Sequence, residues 1–517
     1  MRKYIYVVVF ISGMASLAVE FAASRLLGNY FGTSNLVWAS IVGLILIYLT
    51  AGYFIGGAWA DRSPKYETFF KILAWAALAT SLIPLVSRPI LRLAANAFDQ
   101  LQLGVLAGSF TSVMILFIIP VTLLGMASPF AIRLSLEDTQ SSGRISGRIY
   151  AISTLGSFLG TFLPVLVLIP LVGTYRTFLV IASLLLLFAL AGLFLAGRFR
   201  LLLPYLWMPF VILLLFLFGT RGTDKSTTGL IYEKESAYNY IQVLQQDGFN
   251  LLRLNEGQGI HSIYNPDVIN NHGPWEQVLS APFFNSAPVT PDSVDSIAIV
   301  GLAAGTTARD AFAVFHNVKI DGIEIDPVIV EAGREYFDMN DPKLNVIIQD
   351  GRWALSKSRK TYDIISVDAY RPPYIPWHLT TREFFQSVYD HLTDRGVLVI
   401  NIGHGPTDRR LIDALATTIR IIFPTIYISD VSGSYNSILF ATKQPTTLEN
   451  FLQNYLALSN DPQPPQMLLD IMASTYAGLQ PEPATTVVFT DDLAPVEELT
   501  NSIILNFLFS GELKDME

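Results

Sequence analysis

Ser296–Gly305 reads SIAIVGLAAG, and it is followed at strand-and-turn spacing by GIEID, which contains Glu324 and Asp326, and then by IIQDG, which contains Asp350. An apolar strand enters a tight small-residue turn, a helix follows, and an acid ends the next strand about 20 residues on, as a nucleotide site requires. This half of the chain is expected to be a nucleoside-binding enzyme. Outward from it, strands near 296–300, 318–324, 345–350, 362–368 and 396–402 alternate with helical patterns at 306–316, 327–337, 351–358, 381–392 and 407–422, and two further strands follow near 426–431 and 437–443. Such alternation predicts an α/β Rossmann-like fold, a parallel sheet covered by helices, with its ligand at the carboxyl ends of the strands. Gly301, Glu324, Asp350 and Asp368 all stand at such ends.

Upstream of the sheet, residues 229–264 carry ESAYNYIQVLQQDG, LLRLNEGQG and IHSIY, which read as short strands with turn signals and predict a small β-hairpin subdomain. Pro266, Gly273-Pro274, Pro282, Pro288 and Pro291 then mark a loop-rich connection. Before Arg221 the chain changes character. Overall, 51% of residues are hydrophobic and 15% charged, against about 25% charged in soluble proteins, and the mean hydropathy is +0.43. The apolar excess falls in seven stretches, about 4–27, 36–60, 69–91, 103–127, 149–172, 177–197 and 201–219. A bilayer core takes roughly 20 apolar residues per helix, so an N-terminal transmembrane α-helical bundle is expected. The first stretch outruns a signal-peptide core and lacks a clear small-residue cleavage site. The expected division is a membrane domain over 1–222, a β subdomain over 223–290 and a nucleoside-binding domain over 291–517.

The formal charge of −9 comes without a basic run that would track a nucleic acid, so none is expected as a partner. The chain has no cysteine, which excludes disulfides, thiolate nucleophiles and cysteine–zinc sites, and its 6 histidines show no metal-ligand spacing. Orientation is in tension. Arg2, Lys3, Arg62, Lys65, Arg133, Arg144, Arg148, Arg198 and Arg200 share one side of a seven-span chain, which by the positive-inside rule leaves the C-terminal domain outside. Use of a cytosolic nucleoside requires it inside, and the reading adopted is a multi-pass cell-membrane protein with a cytoplasmic domain. One stretch then does not cross, either 149–172 with Pro164 and Pro170 or 201–219 with Pro204 and Pro209, or the charge rule fails here. Within the bundle, Glu20 is a functional candidate or a paired helix-end acid, Arg25 snorkels, and Gly52, Gly56 and Gly57 give small-residue spacing for close helix contact. The Asp61-Arg62 that follows resembles a short loop of major facilitator transporters.

Each strand-end position has chemistry available. Gly301 and Gly305, with Ala303 and Ala304 between them, let backbone approach a ligand. Glu324 can accept hydrogen bonds from two ribose hydroxyls, and Asp350 can accept one from an adenine amino group.

With these residues in view, 229–445 resembles the spermidine synthase (polyamine aminopropyltransferase) family in its membrane-fused, multi-spanning form. The family loop GGGDGGTxRE matches GLAAGTTARD at Gly301–Asp310, its acidic strand end matches Ile323–Asp326, its Asp-Gly pair falls on Asp350-Gly351, and the first aspartate of its D-x-x-D-P segment falls on Asp368. An ESxY opening at Glu235–Tyr238 and a TDDxAPVE ending at Thr490–Glu497 fit the membrane-fused branch. The resemblance implies that an amine attacks the carbon beside the sulfonium of decarboxylated S-adenosylmethionine as co-substrate, releasing 5′-methylthioadenosine, with no permanently bound cofactor. An amine of pKa near 10 is protonated at neutral pH, so a carboxylate must orient it and take its proton, and Asp368 has that role. A capping role for Asp368 is the plainer alternative. Homodimers are common in the family and are implied here.

Departures fall on the amine side. Ala304 replaces the loop aspartate, Arg371 the second aspartate of D-x-x-D-P, Trp275-Glu276-Gln277 the Tyr-His-Glu segment, and Asn239 the glutamine expected beside the nucleoside. Loss of anions and gain of a cation weaken any site for a dication, so putrescine is a doubtful acceptor. Tyr370, Tyr374, Trp377 and His378 either cover the pocket or anchor their loop, and Asp491-Asp492 and Glu497-Glu498 either replace the missing anions, bind a cation or form a solvated patch. The function expected is a membrane-bound aminopropyltransferase acting on an amine acceptor. An S-adenosylmethionine-dependent methyltransferase and a non-enzymatic transporter or sensor are the alternatives.

Overall fold

The computed structural model describes the chain apart from residues 32–34, 101–103, 137–141, 198, 221, 223–224, 226, 256–258, 371–373, 406, 483–484 and 511–517. It divides into two compact units, Met1–Ser226 and Thr227–Glu517.

The first unit is helical, the form in which an apolar stretch satisfies its own backbone hydrogen bonds. Among the described residues seven segments are long and apolar enough to cross a membrane: Lys3–Phe31, Val37–Arg62, Tyr66–Ala94, Gly108–Ser135, Ser142–Val172, Thr174–Gly197 and Phe199–Gly219. Pro164 and Pro170 do not break the fifth segment, because a π turn over Pro164–Leu168 absorbs the missing donor and the helix runs on through Ile169–Val172. Small residues set the helix contacts. A side chain at Gly156 would overlap the carbonyl of Phe10, and one at Gly56 would come 2.7 Å from the Cα of Met126, whereas Gly57 has only Pro129 at 3.9 Å. Asp61 pairs with Arg133 Nε at 3.0 Å.

The second unit opens with β1 (Leu230–Glu235), β2 (Tyr240–Gln246), β3 (Phe249–Leu254) and β4 (Ile260–Tyr264), an antiparallel sheet in that order. Asp247 and Gly248, at φ of 50° and 83°, turn β2 into β3, the double positive φ that matches strand twist in a two-residue hairpin. The main sheet follows: β5 (Ser296–Val300), β6 (Lys319–Glu324), β7 (Leu344–Ile348), β8 (Tyr362–Val367), β9 (Leu392–Gly403), β10 (Thr425–Asp430), β11 (Asn436–Thr442) and β12 (Leu479–Gln480). Its order is β12-β10-β11-β9-β8-β5-β6-β7, parallel from β9 to β7 and antiparallel from β9 to β12. The eighth strand, beyond the seven expected, is the two-residue β12, too short to show a period.

Both faces of this sheet are covered, which is why β5 reads as a continuous apolar run. Ile297 and Ile299 pack with Ala311, Phe440 and Phe451 on one face, and Ala298 and Val300 pack with Phe384, Ile400 and Leu415 on the other. From β5 the chain moves outward to β6 and β7 and returns to β8 on the opposite side. The carboxyl ends of β5 and β8 therefore flank the switch point, where a doubly wound sheet opens a crevice. The backbone N–H of Asp368 donates to Val300 O at 2.8 Å and holds the two ends together.

Candidate active site

The loop after β5 is built against the end of β6. Gly301 and Leu302 both donate their backbone N–H to Ile323 O, at 2.9 and 3.0 Å. Gly301 has φ +93°, and a Cβ there would lie 2.5 Å from the carbonyl oxygen of Asp368, so conformation and space both demand glycine. Gly305, at φ +88°, caps the helix Thr306–Val314 and leaves room for Met339. Ala303 holds φ +48° without being glycine, a conformation that costs an ordinary residue about 1 kcal/mol. Its N–H donates to Glu324 Oε2 at 3.0 Å, and Glu324 Oε1 accepts from Asp326 N at 3.0 Å. Burial pushes the Glu324 carboxyl up to about 7, with these backbone donors opposing the rise. Gly301, Gly305 and Glu324 thus form one connected wall. Ala304 is buried, with its N–H donating to Ser262 Oγ of β4 at 3.0 Å.

Asp326 holds the hairpin sheet in place. Its Oδ1 caps the helix Pro327–Tyr336 at Val328 N, 3.0 Å, while Oδ2 accepts from Ser236 Oγ at 2.5 Å and from Asn239 Nδ2 at 3.0 Å. The ESxY opening is thereby a turn fastened to the acid that follows β6. Asn239 also accepts from Asn255 Nδ2 at 3.0 Å, so the structure places this residue in the fastening to Asp326, the acid two residues after Glu324.

Asp350 caps the helix Gly351–Lys357 through Trp353 N at 3.0 Å, and its Oδ2 lies 3.0 Å from His378 Nε2. A side chain at Gly351 would run into Val300. Arg352 Nη1 donates to His378 O at 3.1 Å and Arg352 clasps Asp491 with both Nη atoms, at 2.8 and 2.7 Å. Thr381 Oγ1 donates to the same aspartate at 2.7 Å. Asp491 is therefore a brace, held below the usual carboxylate range chiefly by Arg352, and does not stand in for a missing substrate anion. Glu497 and Glu498 open the helix Val496–Ser510, where their charge suits the N-terminal dipole.

The other side of the switch point is different in kind. Asp368 follows β8 and accepts from Asn401 Nδ2 of β9 at 3.0 Å. Burial pushes its carboxyl up to about 6, and the Asn401 hydrogen bond opposes the rise. Tyr370 is pinned through its hydroxyl, which donates to Asn401 O at 3.1 Å and accepts from Gly403 N at 2.8 Å. A cleft of about 540 Å³ opens here, with Gly301, Ala303, Asp368, Asn401, His404 and Tyr435 among its walls. His404 Nδ1 lies 2.7 Å from Gly405 O, which assigns the ring proton to that nitrogen. Burial lowers His261, also in the wall, to about 4. Of Trp275-Glu276-Gln277 only Trp275 lines the cleft; Glu276 turns back to accept from Asn271 N at 2.7 Å and Gly273 N at 3.0 Å. Tyr374 anchors its loop through a 2.5 Å hydrogen bond to Asn501 Oδ1, while Trp377 is exposed. Arg371, with Pro372 and Pro373, lies outside the described residues.

Sequence reasoning did not single out Asn401, His404, His261 or Arg352 as site residues. The available signal for Asn401 is a lone amide inside the apolar strand GVLVINIG. Among the described residues no group of three or more His, Asp or Glu is placed to hold a metal ion.

Residues 285–440 match the spermine/spermidine synthase domain. A protein of Bifidobacterium longum named "Probable polyamine aminopropyl transferase" is 31% identical over 289 residues, covering 53% of this chain and 62% of that protein. The chain thus spans less than two thirds of that relative's length. An N-terminal histidine N-methyltransferase of Emericella nidulans is 27% identical over 238 residues, 41% of this chain and 42% of that protein. The crystal structure of spermidine synthase from Thermotoga maritima aligns with a TM-score of 0.40 at 20% identity, over 48% of this chain and 84% of that one.

Proposed function

We propose, from the premise that this chain belongs to the spermine/spermidine synthase family through its domain at residues 285–440, that it is a membrane-bound aminopropyltransferase. The donor is decarboxylated S-adenosylmethionine and the acceptor an amine. The single observation that carries this reading is Asp368, whose backbone closes on Gly301 at the switch point and which lines the cleft beside the Gly301 loop.

Glu324, held open by Ala303 N and Asp326 N, has its remaining lone pairs for the two ribose hydroxyls. Asp350 and the backbone at Gly351 take the adenine. The aminopropyl arm then passes the Gly301 loop toward Asp368. There the acceptor nitrogen's lone pair attacks the propyl carbon bonded to sulfur, a C–N bond forms as the C–S bond breaks, and the bonding electrons return to sulfur. The sulfonium becomes the neutral thioether of 5′-methylthioadenosine. The acceptor's lone pair is freed when its ammonium gives a proton to Asp368, whose carboxyl at about 6 is ionised at neutral pH and well suited to a general base, and the product leaves as a secondary ammonium. Asn401 orients that carboxylate.

The seven apolar segments support a multi-pass location in a lipid bilayer; the cytoplasmic side is proposed for the catalytic unit from its need for a cytosolic nucleoside donor, against the charge distribution of a seven-span chain. The family resemblance supports a homodimer. The methyltransferase relative makes S-adenosylmethionine the competing donor. Incubation of the detergent-purified chain with an amine panel and either donor tests the reading: aminopropylated product and 5′-methylthioadenosine from the decarboxylated donor are expected, and methylated product would replace this function with the second one.

A further inference from the structure

Resting on that reading, we propose that the acceptor is a primary monoamine with an aromatic body, an arylalkylamine, and not an α,ω-diamine. Two ammonium groups in one cleft call for two counter-charges, because a desolvated cation without a partner is strongly disfavoured. Among the described residues lining the cleft, Asp368 is the one carboxylate. It serves the reacting nitrogen, and no second anion waits at the far end of a diamine.

What the wall offers beyond Asp368 is polar, apolar or aromatic and includes no second anion among the described residues. His261 is uncharged at neutral pH, and its Nε2 is buried with no hydrogen-bond partner. His404 donates from Nδ1 to Gly405 O, and its Nε2 too is buried and unpartnered. Asn401 spends its amide N–H on Asp368, which leaves its Oδ1 as an unpartnered acceptor. Ala304, at the position of a family aspartate, is buried and adds no charge. The remaining surface is aromatic. Trp275, Tyr370 and Tyr435 all line the cleft, and Tyr435 stands edge-on to His404 at 6.2 Å and 87°. Tyr370 presents its ring, since its hydroxyl is committed to Asn401 O and Gly403 N. Rings at these edges suit a flat apolar body better than a flexible chain ending in a charge.

Three acceptors separate the terms when assayed with decarboxylated S-adenosylmethionine on the full chain: phenethylamine, n-butylamine and putrescine. Butylamine and putrescine share a four-carbon chain and differ by one charge, and phenethylamine and butylamine share one charge and differ by the ring. We expect kcat/KM to fall about tenfold or more from phenethylamine to butylamine and again to putrescine, within the range of discrimination that pocket contacts provide. Asn436→Asp, which adds a carboxylate to the cleft wall at almost unchanged volume, is expected to raise putrescine use relative to butylamine. Putrescine as the preferred acceptor overturns the inference and leaves aminopropyl transfer standing. Equal use of phenethylamine and butylamine overturns the aromatic body. Failure of all three amines to release 5′-methylthioadenosine removes the proposed function itself, and this inference with it.

Discussion

Arg352 grips Asp491 with two parallel hydrogen bonds of 2.8 and 2.7 Å, and with the same guanidinium holds the carbonyl of His378. Since His378 in turn meets Asp350, this clasp positions the acid expected to receive the adenine. Arg352→Ala is expected to weaken 5′-methylthioadenosine binding about five- to tenfold, the scale of a partly exposed bidentate ion pair. Calorimetry measures it. Turnover at saturating donor should change little, and equal losses in binding and turnover would show that the clasp reaches the chemistry as well.

Glu324 gives the second expectation. Loss of its carboxylate in Glu324→Ala should cost about 1.5–3 kcal/mol of nucleoside affinity, as for hydrogen bonds to a charged group. The ionised form is the better acceptor for both ribose hydroxyls, and burial raises its carboxyl to about 7. Affinity is therefore expected to be full above that value and to decline as the pH falls through it. Titrations at pH 6 and pH 8, run on both the wild-type chain and the alanine variant, check whether the decline vanishes with the carboxylate.

Asp368 carries the third. If it takes the acceptor's proton, Asp368→Asn should lower turnover by about 10²–10⁴-fold while nucleoside binding stays close to wild type. With the carboxyl raised to about 6, the base is present above that pH and lost below it, so the rate should fall on the acid side of about 6. A variant that keeps full activity would reduce Asp368 to a loop anchor.

Gly301→Ala tests the geometry that joins the two halves. A methyl group would sit 2.5 Å from Asp368 O at a φ of +93°, so a destabilisation of about 1–3 kcal/mol is expected from strain and overlap. Thermal unfolding reads the stability and a turnover assay reads the displacement of Asp368. A variant of unchanged melting temperature would mean that the loop yields without cost.

Much of this was legible in the chain because the main strands are apolar runs ended by a glycine or an acid. Gly301, Glu324, Asp350 and Asp368 declare themselves that way, and the structure sets each just past, or at, the end of a strand. What stayed hidden depends on contacts between distant residues. His378 lies 28 positions from Asp350 and Arg352 lies 139 from Asp491, separations that leave no local pattern. For Asp491, nothing near it in sequence names its arginine. The amide of Asn239 also ties the hairpin sheet to Asp326, a use visible only once the two sheets are assembled. Asn401 escaped because a single amide barely disturbs the apolar count of β9.

The strand order has an evolutionary reading. The residues proposed to hold the nucleoside ride on β6 and the turn after β7, whereas Asp368, Tyr370, Asn401 and Tyr435 ride on β8, β9 and the strands beyond, with β5 between the two groups. Glu324 is secured by Ala303 and Asp326, and Asp368 by Asn401, so each half keeps its shape through its own bonds. Substitutions in one half can accumulate while the other continues to work. Such a partition lets a lineage keep an inherited donor and its leaving group while exchanging the molecule that receives the transfer.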